Sequence, residues 1–263
     1  MIFHERQGLR VFEFEGFSNL PVLVHAVFTR RGGVSPAPWE SLNVGGGMGD
    51  AVDRVVENRK RAFRAVGRPV DSIADVWQVH SSEVLVMRAP RAAGERPPHA
   101  DGMVTDNPEL TLFMRFADCV PVLLFDPRRH AVGIVHAGWK GSLARIAARA
   151  VERMQEAFGT QPANILAAIG PSIGPDHYPV GAEVVEEARR AFPRDEAALL
   201  LQHGGQTRLD LWRVNALALH EAGVERIEVA GVCTACNMGD WFSHRGEPGR
   251  TGRFGALIAL REE

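Results

Sequence analysis

Long apolar runs are missing from this 263-residue chain. No stretch reaches the roughly eighteen consecutive apolar residues that a membrane-spanning helix needs. The opening residues, MIFHERQGLRVFEFEG, hold no apolar segment leading to a small-residue cleavage site, so no secretory signal is expected. Cysteine is scarce: Cys119, Cys233 and Cys236 are the three. An odd count without an export signal argues against a disulfide scaffold and for free thiols in a reducing cytoplasm. An excess of one charge is also missing, because 30 basic and 32 acidic residues leave a formal net charge of −2. Nucleic-acid binders usually carry a marked basic excess, so that class of partner is not expected. Repeats and low-complexity tracts do not occur. Two loop-like seams, 88–102 and 243–253, are each followed at once by strand-like residues, so neither divides the chain. What remains, 45% hydrophobic and 24% charged, suits a soluble protein with a sizeable core. The expectation is one cytoplasmic domain over 1–263, with no membrane or nucleic-acid partner.

Runs rich in β-branched and aromatic residues predict strands at 22–30, 75–80, 83–89, 111–116, 120–126, 131–137, 165–170, 227–233 and 254–260. The pair flanking PRRH (127–130) reads as a hairpin. Helical periodicity marks 50–67, with Val52, Val55, Val56, Arg59, Phe63 and Val66 in phase, an aspartate as start and Gly67 as stop. A second stripe, Leu143, Ile146, Ala147, Ala150, Val151, Met154 and Phe158, predicts one helix over 142–159. Shorter helices are predicted at 181–192 and at 211–222, the latter capped by Asp210 and stopped by Gly223. Strands outnumber helices and several join by hairpins, so the fold class is α+β with mixed sheets rather than a doubly wound parallel sheet.

Three predicted strand ends carry chemistry: His80 in WQVHSSEV, Asp118 and Cys119 in FADCVPVL, and His136 in VGIVHAGWKG. Imidazole and thiolate are good zinc ligands, and catalytic zinc keeps three protein ligands and one open position. The long spacing lacks the specificity of a compact motif, so by spacing alone unrelated core or surface residues are the favoured reading. CTAC (233–236) reads as two free thiols at a strand end, because no second CxxC exists to complete a zinc site. The glycine-rich loop 28–50 lacks the lysine of a phosphate-binding GxxxxGK[ST] loop. Its Arg30 and Arg31 either meet an anionic ligand or are solvated, and the same choice holds for Arg245, Arg250 and Arg253.

Taken in order, FTRRGGVS, SLNVG, VENR, WQVHSSEV, ADGMVT, ADCVPVLLFDP, VHAGWKG, IGPSIGPDHYPVG and the segment from GVCTACN to WFSHRGEPGRTGR resemble the YfiH-like family. That family is also called the multicopper polyphenol oxidase laccase family. The resemblance implies a single α/β/β/α-layered domain of the sort grouped with cytotoxic-necrotizing-factor-like cysteine hydrolases. It implies zinc ligands at His80, Cys119 and His136, and a substrate pocket that includes Arg30, Asn43 and Arg245. The chain departs from the family at Gly246, commonly a second arginine, and at Asp176 and His177, where many members carry cysteines.

By the same resemblance, the leading activity is phosphorolysis of purine nucleosides such as adenosine, inosine, guanosine and S-methyl-5′-thioadenosine, with adenosine deamination at the same zinc. Copper-dependent phenol oxidation is the second reading. A laccase-type oxidase needs many histidine ligands, usually as HxH pairs, and this chain has 10 histidines and no HxH. Copper could still occupy a His/Cys/His set, since it outranks zinc in intrinsic affinity. A third reading makes Cys119 the nucleophile of an amidase acting on peptidoglycan precursors, with His136 or His80 as base. In the site so imagined, Ala137 and Gly138 leave space beside the metal and Gly141 starts the next helix.

Overall fold

In the computed structural model, which describes residues 2–92 and 94–261, the chain first folds back at Gln7-Gly8, both at positive φ. That two-residue turn joins β1 (Ile2–Arg6) to β2 (Leu9–Glu13). The first six-stranded sheet continues through β3 (Leu23–Phe28), β14 (Phe254–Leu260), β7 (Thr111–Phe116) and β4 (Ile73–Ala74). The second runs β13 (Arg226–Val229), β10 (Leu166–Ile169), β8 (Val120–Asp126), β9 (Ala131–Ala137), β6 (Gly102–Thr105) and β5 (Val84–Val86). Three pairs are parallel, β4 with β7, β5 with β6 and β10 with β13, and the other pairs in these two sheets are antiparallel.

Side-chain alternation sets the layers. On β8, Val120, Val122 and Leu124 face one core while Leu123 and Phe125 face another. On β14, Phe254, Ala256 and Ile258 join Leu123 and Phe125 between the two sheets, and Leu257 and Ala259 point to the far side. There they meet Ala62 and Phe63 of α2 (Val52–Ala65). The outer face of the second sheet packs on α4 (Ile146–Phe158) and α7 (Leu211–Glu221). The order is helix, sheet, sheet, helix: the mixed α/β/β/α layering expected from the sequence. Four shorter helices and a hairpin lie outside these layers: α1 (Glu15–Ser18), α3 (Trp139–Leu143), α5 (Ala182–Ala191), α6 (Glu196–Leu199), and β11 (Leu200–His203) with β12 (Gln206–Leu209).

Several expectations need correction. The helix predicted over 142–159 is broken: Arg145 takes φ 60°, separating α3 from α4. Its guanidinium lies over the Phe192 ring and donates to Ala191 O and Glu221, contacts from distant chain that stabilise the break. The helix after β9 starts at Trp139, not Gly141. Residues 75–80 form no strand; among the described residues their one β-bridge is Trp77–His99. The strand predicted at 227–233 stops at Val229. On α2, Val52 and Val56 are exposed while Val55, Asn58 and Ala62 are buried, so the buried face is rotated from the predicted stripe. Its N-cap is Ala51 rather than an aspartate, because the Asp50 carboxylate accepts from Ser35 and Asn43. Asp210 does cap α7, accepting from Arg213 N at 3.0 Å.

On β3, His25 is buried, and its Nε2 accepts the Phe14 N–H at 2.9 Å. Burial, helped by the Arg6 charge, lowers its pKa from 6.5 to about 3. The folded imidazole stays neutral while the unfolded chain binds a proton below 6.5. Stability contributed here is therefore complete above pH 6.5 and is lost as pH falls toward 3, by about 1.4 kcal/mol per pH unit. Urea titrations between pH 7 and 4 are expected to show a shallower acid loss for His25→Gln than for the intact chain. An unchanged slope would refute this assignment.

Candidate active site

Strands β8 and β9 place two of the three predicted ligands. In their antiparallel register Pro121 faces His136, so Cys119, one residue before β8, emerges beside the imidazole near the end of β9. His80 arrives from the irregular stretch after Trp77 and holds φ 60°, a left-handed conformation disfavoured for a residue with a Cβ. Its Nε2 lies 3.9 Å from Cys119 Sγ, and its ring centroid is 5.0 Å from that of His136. One donor atom from each of the three lies within 4.8 Å of the others.

Asp101 organises both histidines. Its Oδ1 is 2.8 Å from His136 Nδ1, leaving Nε2 available to the cluster. Its Oδ2 accepts from Val79 N, Ser81 N and Ser81 Oγ, which wraps the turn that carries His80. Burial pushes the Asp101 carboxyl up, but the hydrogen bonds from His136 and Ser81 outweigh it and hold the pKa at about 2. Burial also lowers the His136 pKa against the pull of Asp101, favouring the neutral imidazole that a metal requires. Burial first, then the Asp118 charge, push the Cys119 thiol up to about 12. A cation is what would favour its thiolate. The donor set, its spacing and the carboxylate behind one histidine all suit a zinc-type site. Gly138 keeps that site open: a Cβ there would lie 3.0 Å from His80 Cδ2 and 3.1 Å from Cys119 Sγ.

The cluster opens into a cavity of about 640 Å³. Arg59, Arg91, Arg115, Arg245 and Arg253 reach its lining, with Asp75 the carboxylate that pairs with Arg91 and Arg115. Burial lowers Arg115 to about 10, which still leaves it charged at neutral pH. Trp77 and Tyr178 supply aromatic surface, and Gly45–Gly47 let backbone approach. The Tyr178 phenol is pushed up to about 12 by burial, so its hydroxyl stays protonated.

The other residues implied by the resemblance separate. Arg245 lines the cavity, donates to Pro179 O at 3.3 Å and sits over the Tyr178 ring. Asn43 is fully buried and shapes the glycine loop, accepting from Gly45 N and Arg253 N. Arg30 lies at a separate, smaller pocket, its guanidinium bonded to Glu40 O, Met238 O and Glu247. Arg59 and Arg115 are not legible as cavity residues because they sit in periodic helix and strand segments, and Arg91 is not because it lies in the loop-like seam 88–102. Arg59 carried a signal, a charge in phase with an apolar stripe. Asp118, at φ 82°, turns away from the cluster and accepts from Thr234 Oγ1, Ser243 Oγ and Arg245 N at 2.6–2.7 Å.

Among the described residues no helix is long and apolar enough to cross a membrane. Comparison with known proteins agrees with the motifs. The family model described as multi-copper polyphenol oxidoreductase laccase matches residues 24–261. A Deinococcus radiodurans protein named purine nucleoside phosphorylase is 39% identical over 236 residues, covering 90% of this chain and 88% of that one. YlmD of Geobacillus stearothermophilus, also named a purine nucleoside phosphorylase, is 37% identical over 249 residues and 91% of each chain. The crystal structure of that YlmD matches with TM-score 0.92 and 34% identity over 99% of both chains. Sequence and fold thus agree over nearly the whole length, and the chain belongs to the multi-copper polyphenol oxidoreductase laccase family.

Proposed function

We propose that this chain is a metal-dependent purine nucleoside phosphorylase that also deaminates adenosine at the same site. One observation carries the reading: a His80, Cys119 and His136 donor set opens into a cavity lined by five arginines and two aromatic rings. Its volume of about 640 Å³ falls within the range of small-molecule pockets, roughly 300–1,000 Å³. The arginines suit inorganic phosphate, and the rings suit a purine face. His80, Cys119 and His136 hold the metal, zinc in the first instance and copper as the alternative. Bound there, the metal supplies Lewis acidity and activation of an oxygen nucleophile.

The chain's own residues then do the remaining work. Arg245, with Arg59, Arg115 and Arg253, neutralises phosphate and directs one of its oxygens at ribose C1′. The C1′–N9 bond breaks with its electron pair going to the base, which takes up a proton, and ribose 1-phosphate remains. Tyr178 and Trp77 hold the purine, the first with a protonated hydroxyl available to donate. Arg30 and Asn43 act from behind by fixing the loops that carry the pocket wall. A metal held by the triad takes up the Cys119 sulfur, which is then unavailable as the nucleophile of an amidase.

Product analysis tests the proposal. Adenosine is incubated with the protein, with and without phosphate. Adenine and ribose 1-phosphate are expected only with phosphate, and inosine in either case. Adenine with free ribose in the absence of phosphate would replace phosphorolysis by hydrolysis, and unchanged adenosine throughout would remove the proposal.

A further inference from the structure

CTAC reads by itself as a pair of free thiols, but the fold gives it partners. Strands β10 and β13 run parallel in adjacent positions, so their chains leave the sheet at the same end. Pairing continues past the strands: Ser172 N donates to Val232 O and Thr234 N to Ser172 O. That register carries the turn at 175–177 alongside 233–236. Four donors converge there, Asp176, His177, Cys233 and Cys236, all within 4.8 Å of one another. Cys236 Sγ is 3.4 Å from His177 Nδ1 and 3.2 Å from Asp176 Oδ2. Cys233 Sγ is 3.8 Å from His177 Nδ1, and His177 Nδ1 is 3.1 Å from Asp176 Oδ2. A tetrahedron built from zinc–sulfur and zinc–nitrogen or –oxygen bonds has edges of about 3.3–3.8 Å, close to these separations. Gly174 N also donates to Cys233 Sγ at 3.2 Å, an interaction that favours a thiolate. Gly174 leaves room for the cluster, since a Cβ there would lie 2.6 Å from Asp176 Oδ1 and 3.0 Å from Cys233 Cβ.

We propose that Asp176, His177, Cys233 and Cys236 form a second, four-coordinate metal site that binds zinc and pins one wall of the active-site cavity. Three of the four ligands are exposed, giving the ion a route in, while Cys233 anchors the site to the core. With four protein donors, the coordination shell is closed, as in a structural rather than a catalytic zinc site. Binding releases the thiol protons to solvent and leaves two thiolates, one imidazole and one carboxylate on the ion. The site joins two segments that serve the cavity. Tyr178 follows His177 directly, and Thr234, between the two cysteines, donates to Asp118 at 2.7 Å. Asp118 in turn precedes Cys119, so the second site braces the loop that presents the first.

Zinc stoichiometry of the full chain, purified under reducing conditions and dialysed against zinc, tests this directly. The intact chain is expected to hold two zinc ions, and Cys236→Ser and His177→Ala one each. Cys119→Ala is expected to hold one, and the Cys119→Ala/Cys236→Ser chain none. Cobalt loading of Cys119→Ala provides a second readout, in which thiolate-to-cobalt absorption is expected and weakens with Cys236→Ser. His177→Ala removes an exposed side chain, so it reports on metal even if the cysteine variant folds poorly. Zinc content unchanged by Cys236→Ser and His177→Ala would overturn the proposal. So would a single zinc lost entirely with Cys119→Ala, or a Cys233–Cys236 disulfide that persists under reducing conditions. None of these outcomes depends on which nucleoside the enzyme accepts.

Discussion

Cys119→Ala is expected to lower kcat/KM for phosphorolysis by at least about 10³-fold while leaving the fold intact, and His80→Ala similarly. Several kcal/mol of transition-state stabilisation rest on a metal ion in such sites, and about 1.4 kcal/mol corresponds to each tenfold in rate. Cys119 is not a large core side chain, and its removal leaves the β8–β9 hairpin with its apolar faces in place. Asp101→Asn separates holding the metal from positioning its ligands. The amide keeps the size of the carboxylate but presents one N–H₂ toward groups that now donate to Asp101. An effect of about 10–100-fold on metal affinity is expected, smaller than that of losing a ligand. Equal losses for Asp101→Asn and Cys119→Ala would remove that distinction.

The second large effect concerns stability. Asp118 is buried and accepts three short hydrogen bonds from Thr234 Oγ1, Ser243 Oγ and Arg245 N. Asp118→Ala strands those donors, two of them on side chains that are fully buried. Unsatisfied buried donors cost about 1–3 kcal/mol each, and because Arg245 N is only part-buried the lower part of the three-donor range, roughly 3–5 kcal/mol, is expected in urea unfolding. Asp118→Asn keeps an acceptor and tolerates the positive φ, so it is expected to lose less than half as much. Activity is expected to fall with the alanine variant, because Asp118 fixes the backbone of both Cys119 and Arg245. An alanine variant as stable as the intact chain would show that the three bonds contribute nothing.

The layered fold was legible where the pattern is local. Alternation on 111–116, 120–126, 131–137 and 254–260 recurs in the structure as residues facing two different cores. Two hairpins went unread although each carries a two-residue signal at positive φ, Gln7-Gly8 and Gly204-Gly205. The break at Arg145 was not legible, because it depends on Phe192 and Glu221, far along the chain. His80, Cys119 and His136 were legible only through a family resemblance, since their spacing depends on β8, β9 and the Asp101 bridge. The cavity arginines show the same limit. Arg59 and Arg115 lie in periodic segments, and only the packing of α2 and β7 turns them to a common space. CTAC reads as two free thiols, and both cysteines are free; what the sequence alone does not show is that Asp176 and His177, 56–60 residues away, are brought beside them by one parallel strand register.

The claim on which the functional reading rests is that metal held by His80, Cys119 and His136 drives phosphate-dependent cleavage. The direct measurement is ribose 1-phosphate formed from inosine and phosphate as zinc is returned in steps to chelated protein. A parallel copper series decides between the two ions. The intact chain is expected to gain activity as returned metal fills the triad, with zinc also taken up by the second site, and His136→Ala to gain none. Full phosphorolysis by the metal-free chain, or restoration in His136→Ala equal to that of the intact chain, would contradict it.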